Sequence, residues 1–215
     1  MMSILADLSD KEVDVESVAS TVLENQETLS ELLEGVQSRQ DTIRYNIFKV
    51  LMILSEEHPE LLYPNKWEFF ADLLSSDNTY HRQIGMQIIA SLTKVDTEKK
   101  FGELFEEYYG LLDDESVIPA SHLAARSGEI ARAKPELAGR ITEKLLSIDE
   151  THHKPHRKEL VKASAIEAFD EYFEDSEDQD KITEFVREQL DSESPKARKA
   201  ARCFLNKWDT SAAEA

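Results

Sequence analysis

Apolar residues recur at intervals of three and four positions along most of the chain. This spacing places them on one face of an α-helix, whereas a half-buried strand would alternate apolar and polar residues. The clearest stripes are Ile43, Ile47, Val50, Leu51 and Leu54; Trp67, Phe70, Ala71 and Leu74; Phe101, Leu104, Phe105, Tyr108 and Leu112; and Ile182, Phe185, Val186 and Leu190. The pattern therefore predicts an all-α protein built from amphipathic helices.

Several stripes end in a leucine-rich turn that is accompanied by an aspartate. The aspartates are Asp41, Asp77, Asp114, Asp149 and Asp191. They follow one another at intervals of about 35 to 42 residues, close to the length of known two-helix repeats. A second echo, Pro59-Glu-Leu and Pro135-Glu-Leu, is separated by two such units. The sequence therefore predicts an α-α superhelix, a solenoid of about four to five stacked antiparallel helix pairs.

The repeat pattern also sets the predicted limits of the domain. It covers residues 13–208, which we predict to form a single helical repeat domain ending in a lone last helix. Residues 1–12 and 209–215 are predicted to be flexible. An apolar stripe in the last helix either packs beneath the preceding pair or stays open as a dimerisation surface. That stripe is Ala201, Phe204, Leu205 and Trp208.

The turn before the last predicted helix, together with the start of that helix, carries a sequence motif of a known repeat. The run Asp-Ser-Glu-Ser-Pro-Lys-Ala-Arg-Lys-Ala-Ala, residues 191–201, resembles the HEAT-repeat signature, in which an Asp-bearing turn and a proline precede a helix with an arginine and an alanine. Partial copies without the proline occur at Asp41 with Arg44 and at Asp77 with Arg82. The resemblance implies a HEAT-like, armadillo-type solenoid. Such repeats serve mostly as scaffolds and adaptors, so the resemblance also implies protein binding without catalysis.

Charge narrows the range of partners. The chain has 44 Asp and Glu against 25 Lys and Arg, a formal net charge of -19. This charge repels phosphate backbones and anionic lipid at long range, so nucleic acid is disfavoured as a partner and a basic protein or peptide is favoured. The acidity also has two explanations without a ligand, which are solubility of an elongated molecule and a cytoplasm of high salt concentration.

Composition also bears on location. Cys203 is the only cysteine, so no intramolecular disulfide can form and a reducing compartment fits. No stretch approaches the roughly 20 apolar residues of a membrane span. We therefore predict a cytoplasmic protein that does not enter the membrane.

The predicted second helices of the pairs carry aromatic and acidic residues beside their apolar stripes. In HEAT-like stacks these helices line the concave side, where an acidic groove with aromatic anchors suits a basic helix or peptide. The alternative is that the aromatic side chains fill the seam between neighbouring repeats. The predicted groove residues are Phe69, Asp72, Glu106, Glu107 and Tyr109.

A cluster of basic residues supports a second hypothesis, nucleic-acid binding by the same fold. These residues begin two successive first helices, so stacking would place them side by side as a basic ridge. The alternative is that they complement acidic residues of neighbouring repeats. The ridge residues are Lys154, Arg157, Lys158, Lys162, Arg198 and Arg202.

A histidine-rich turn supports a third hypothesis, a metal-handling or enzyme-accessory role. His152, His153 and His156 lie near Asp149 and Glu150, and these are suitable ligand types. Their spacing matches no established metal motif, and the neighbouring cations oppose a divalent ion. The chain also lacks a nucleophile elbow, a phosphate loop and a dinucleotide fingerprint. We therefore predict no metal, no cofactor and no enzymatic activity.

Overall fold

The computed structural model describes residues 4–208, without the side chain of Gln26. Within this range the chain is all-α, as the hydrophobic pattern predicts, with twelve α-helices joined by turns and short 3-10 helices and no strand. The helices are α1 (Ile4–Asp7), α2 (Val15–Glu24), α3 (Gln26–Gly35), α4 (Asp41–Glu57), α5 (Trp67–Asp72), α6 (Thr79–Leu92), α7 (Lys100–Gly110), α8 (Val117–Ala133), α9 (Ala138–Leu146), α10 (Pro155–Phe169), α11 (Gln179–Glu188) and α12 (Pro195–Trp208). In this range no helix has the length and apolar character that crossing a membrane requires.

Five of the long helices begin at nearly regular intervals along the chain. Their first residues are Asp41, Thr79, Val117, Pro155 and Pro195. Each begins about 38 residues after the one before it, which is the length of a two-helix unit. Both Pro59 and Pro135 begin a short 3-10 helix just after a long helix ends, a position where the missing N–H of proline has no partner to lose. The two-helix period is thus more regular in the helix starts than in the spacing of the aspartates.

An arginine of the first turn recurs in three of these helices. In each case its guanidinium donates to the carbonyl oxygen of a serine six residues earlier, which ties the preceding turn to the helix. The pairs are Arg44 with Ser38 (2.8 Å), Arg82 with Ser76 (2.7 Å), and Arg198 with Ser192. The arginine of the predicted signature therefore has a local structural role.

Contacts divide the chain into two compact units between Glu98 and Lys99, where the sequence predicted a single domain over residues 13–208. In the first unit α2, α4 and α6 lie side by side and α5 packs against α6. Ile47 and Leu54 of the predicted stripe are fully buried in its core.

The N-terminal segment belongs to this core. Ile4 and Leu8 are buried, and the Asn46 side-chain amide donates to the carbonyl oxygens of Leu8 (3.0 Å) and Asp10 (2.8 Å). Residues 4–10 are therefore anchored, which differs from the flexible segment predicted over residues 1–12. The tail predicted over residues 209–215 lies outside the described residues.

In the second unit α8, α10 and α12 lie side by side. The shorter helices pack against them, α9 on α8 and α10, and α11 on α12. The stripe of α12 is packed at two of its four positions. Ala201 and Phe204 are buried, and the Phe204 ring meets the Phe173 ring edge to face at 4.9 Å. Leu205 and Trp208 are half-buried, so the stripe is packed in part, and dimerisation through it stays a prediction.

Candidate functional site

The two predicted groove residues of the first unit lie on α5. Phe69 is half-buried and packs edge to face on Phe70, with ring centroids 5.2 Å apart. Asp72 is the last residue of the helix. Phe69 is thus partly covered by a contact within its own helix, and the choice between groove and seam stays open.

The other three predicted groove residues lie on α7, in the second unit. Tyr109 is 2 % exposed and its hydroxyl donates to Ser127 Oγ at 3.1 Å, so burial raises its pKa. Glu106 is exposed, but hydrogen bonds from Lys144 and Arg140, both 2.7 Å long, lower its pKa. Glu107 is exposed. The prediction that Tyr109 faces a partner is therefore wrong, and the charge of Glu106 is already compensated.

Three members of the basic ridge are held within the protein. Lys158 Nζ donates to the Asp149 carbonyl oxygen at 2.7 Å, and Arg198 bonds to the carbonyl oxygen of Ser192. Lys162 is buried and contacts Asp149 Oδ2 at 2.9 Å. Burial alone would lower the Lys162 pKa, but the neighbouring carboxylates raise it.

The remaining ridge residues, Lys154, Arg157 and Arg202, are exposed and have no side-chain partner among residues 4–208. α10 and α12 do lie side by side, as the ridge hypothesis requires. Only three of its six cations, however, are available to a phosphate backbone.

The predicted histidine cluster is rearranged. His156 is exposed on α10, and Asp149 is engaged by Lys162. His152 and His153 instead meet Asp113, which precedes α8. The sequence reasoning missed Asp113, although it precedes His152 by about one repeat length.

A second group that the sequence reasoning missed lies on α11. Asp180, Glu184 and Glu188 occur four residues apart and therefore share one face of the helix, which we call the α11 acidic face. All three are exposed, and none has an ion pair or side-chain hydrogen bond with any described residue. Lys181, a cation on the same helix, is paired with Asp178 at 2.7 Å.

Aromatic side chains border the α11 acidic face. Trp208 is half-buried, and its ring lies 5.2 Å from the ring of Phe173. The Trp208 Nε1–H donates to Asp170 Oδ1 at 2.6 Å, which fixes the orientation of the indole. Trp208, Phe173 and the α11 acidic face line a cleft of about 630 Å³ to which Arg187 also contributes. The cleft combines net negative charge with an apolar wall.

Two tyrosines of the first unit form a different surface. Tyr45 on α4 and Tyr80 on α6 are 62 % and 59 % exposed and line a cleft of about 360 Å³. Arg44 stacks over Tyr80 at 5.0 Å, and Lys49 lies over Tyr45 at 4.8 Å. These cations make the tyrosine cleft a poor match for a basic partner.

No protein-family model matches the chain, and neither a curated protein nor a solved structure shows significant similarity to it.

Proposed function

We propose that the chain is a protein-interaction module, without catalysis, that binds a basic segment of a partner protein through the α11 acidic face. The observation that carries this proposal is the row of Asp180, Glu184 and Glu188, which are exposed and have no ion pair among the described residues, beside the Trp208 wall. Like charges four residues apart destabilise a helix by about 0.2–0.5 kcal/mol per pair. A carboxylate at a helix C-terminus, such as that of Glu188, is also disfavoured by the helix dipole. The row therefore reduces stability in the free protein, and an external cation would relieve that cost.

The chemistry of the cleft indicates the kind of partner. Three carboxylates at this spacing extend over about 12 Å of helix, which matches lysine or arginine side chains on one face of a partner helix. Trp208 offers an aromatic contact of the type that carries much of the binding energy in protein interfaces. The net charge of -19 would accelerate encounter with a basic protein and oppose phosphate backbones. A basic peptide with one apolar anchor fits these features better than nucleic acid or lipid.

A HEAT-type solenoid and a cytoplasmic location are parts of the same proposal. The regular spacing of the helix starts and the recurring contact between arginine and the turn support a two-helix repeat. Repeats of this kind stack into extended binding surfaces. The single cysteine supports a reducing compartment.

The test uses a fluorescent helical peptide that carries lysines four residues apart and one tryptophan. Its affinity is measured by anisotropy for the full chain and for a triple variant, Asp180→Asn with Glu184→Gln and Glu188→Gln. We expect the triple variant to bind at least about tenfold more weakly, a loss of about 1.4 kcal/mol.

The matched control removes three exposed carboxylates from the first unit, through Glu16→Gln, Glu24→Gln and Glu34→Gln. It changes the net charge by the same amount, so we expect only a small loss of affinity. An equal loss in both triple variants would mean that the peptide responds to net charge alone, and the proposal would be wrong. Circular dichroism of both variants verifies that each remains folded.

A further inference from the structure

Three side chains able to bind a metal converge where two consecutive turns meet. Asp113 lies in the turn before α8, and His152 and His153 lie in the turn before α10. One donor atom from each side chain lies within 4.8 Å of the other two. Two imidazoles and one carboxylate are a ligand set that suits Zn²⁺ and similar divalent transition-metal ions.

His152 and Asp113 are already in direct contact. His152 Nδ1 lies 2.6 Å from Asp113 Oδ1, and the backbone N–H of His152 donates to the same oxygen at 2.7 Å. These hydrogen bonds hold the carboxylate beside the imidazole. Both side chains are about half exposed, at 55 % and 54 %, which leaves them accessible to an ion from solvent.

His153 is positioned by a second kind of contact. It is buried, and its Nε2 lies 3.1 Å from the carbonyl oxygen of Leu112. A carbonyl oxygen can only accept a hydrogen bond, so Nε2 carries the proton of the neutral ring and Nδ1 keeps its lone pair. Metal-binding histidines commonly have one nitrogen fixed in this way by a backbone carbonyl. The contact with Leu112 therefore fixes both the orientation and the tautomer of the His153 ring.

The distances require only modest adjustment. Donors around a tetrahedral zinc ion lie about 3.3 Å apart, so the contact between Asp113 and His152 must open slightly and the other separations must close by no more than about 1.5 Å. Exposed Lys154 and Arg157 line the adjacent cleft and oppose a cation, but Glu115 in the same cleft offsets part of that charge.

We propose that Asp113, His152 and His153 bind one divalent transition-metal ion of the Zn²⁺ type, with water in the open position. The ion joins the turns before α8 and α10 and so stabilises the second unit. This proposal rests on different residues from the α11 acidic face, and either one can fail without the other.

Calorimetric titration of the full chain, prepared without a histidine tag, with Zn²⁺ tests the site. Wild-type protein should bind one ion, and Asp113→Asn or His152→Gln should weaken binding at least about tenfold, since even outer-shell partners of metal sites contribute about 10–100-fold to affinity. Cobalt substitution provides a second readout, because absorption typical of tetrahedral Co²⁺ should appear in wild-type protein and be lost in both variants. Saturating Zn²⁺ should also raise the melting temperature of wild-type protein only.

His156→Gln is the matched control. His156 is an exposed histidine four residues after His152, and it lies outside the cluster. This variant should leave Zn²⁺ affinity and stoichiometry unchanged. The proposal is overturned if wild-type protein shows no saturable binding of one ion. It is equally overturned if His156→Gln weakens binding as much as His152→Gln does.

Discussion

Gly128 in α8 lies against the backbone of Ala168 in α10, so close that a Cβ atom at Gly128 would be 2.8 Å from the Ala168 carbonyl oxygen. The same Cβ would also be 2.7 Å from the carboxyl carbon of Glu171. The main helix contact of the second unit therefore depends on the absence of a side chain at this position.

We predict that Gly128→Ala destabilises the protein by about 1–3 kcal/mol, because α8 and α10 must separate to admit the methyl group. Urea denaturation monitored by circular dichroism gives the free energy of unfolding. The control is Gly102→Ala in α7, where a Cβ would meet nothing within 4 Å. That variant should gain about 0.4–1 kcal/mol, because alanine restricts the unfolded chain. If both variants gain stability, the described contact between α8 and α10 is wrong.

The anchoring of the N-terminal segment gives a second prediction. Asn46 is 1 % exposed, and its side-chain amide satisfies two backbone carbonyls, those of Leu8 and Asp10. Asn46→Ala leaves both without this donor, so we expect a loss of about 1–3 kcal/mol and faster proteolysis within residues 4–10. Limited proteolysis followed by mass spectrometry locates the cleavage. The exposed Asn206→Ala should change neither quantity, and unchanged cleavage in Asn46→Ala would contradict the anchoring.

The hydrophobic period predicts the helices well because burial imposes the same spacing on any amphipathic helix. Ile47 and Leu54 are fully buried, as their spacing predicts. Tyr109 is predicted to lie in the groove beside its stripe, yet it follows Phe105 by four residues and is buried with it. The width of a buried stripe depends on how many neighbours a helix has, and one helix sequence does not contain that number.

Side-chain partners between turns are harder to predict than helices. Asp113 meets His152 only because the turns before α8 and α10 lie together, and the two-helix repeat is the only signal of this in the sequence. Asp180, Glu184 and Glu188 have helical spacing that is visible in the sequence. Their lack of partners among the described residues, however, depends on where the cations of the protein lie. Lys181, for example, is paired with Asp178, and the amino-acid composition does not show which carboxylate a lysine pairs with.

The free energy of unfolding should decrease at acidic pH because of His81. Burial, together with the positive charge of Arg44, lowers the His81 pKa in the folded protein. The unfolded chain then binds the proton more readily, since its histidine has the ordinary pKa of about 6.5. A depressed histidine pKa therefore removes stability as the pH falls below about 6.5, and the loss continues until the folded-state pKa is reached.

His81→Gln should reduce the difference in unfolding free energy between pH 7 and pH 5. Glutamine can keep a hydrogen bond to Ser76, whose Oγ lies 3.1 Å from His81 Nδ1. Urea denaturation at both pH values provides the measurement, with the exposed His156→Gln as the control. If His81→Gln shows the same pH dependence as wild-type protein, the His81 imidazole does not cause the loss of stability at acidic pH.

Glu188 allows stability and binding to be separated at one residue. It is the last residue of α11, follows Glu184 by four positions, and has no partner among the described residues. Glu188→Gln removes a carboxylate from the negative end of the helix dipole and one repulsion between like charges. We therefore expect a stability gain of about 0.3–1 kcal/mol at low salt, which decreases as salt screens both effects.

The same change removes one contact for a basic partner, so affinity for the lysine peptide should fall while the melting temperature rises. Thermal denaturation and anisotropy on the same sample make the comparison. A variant that loses both stability and affinity would indicate that Glu188 has a structural partner, and the α11 acidic face would then not be a surface available for binding.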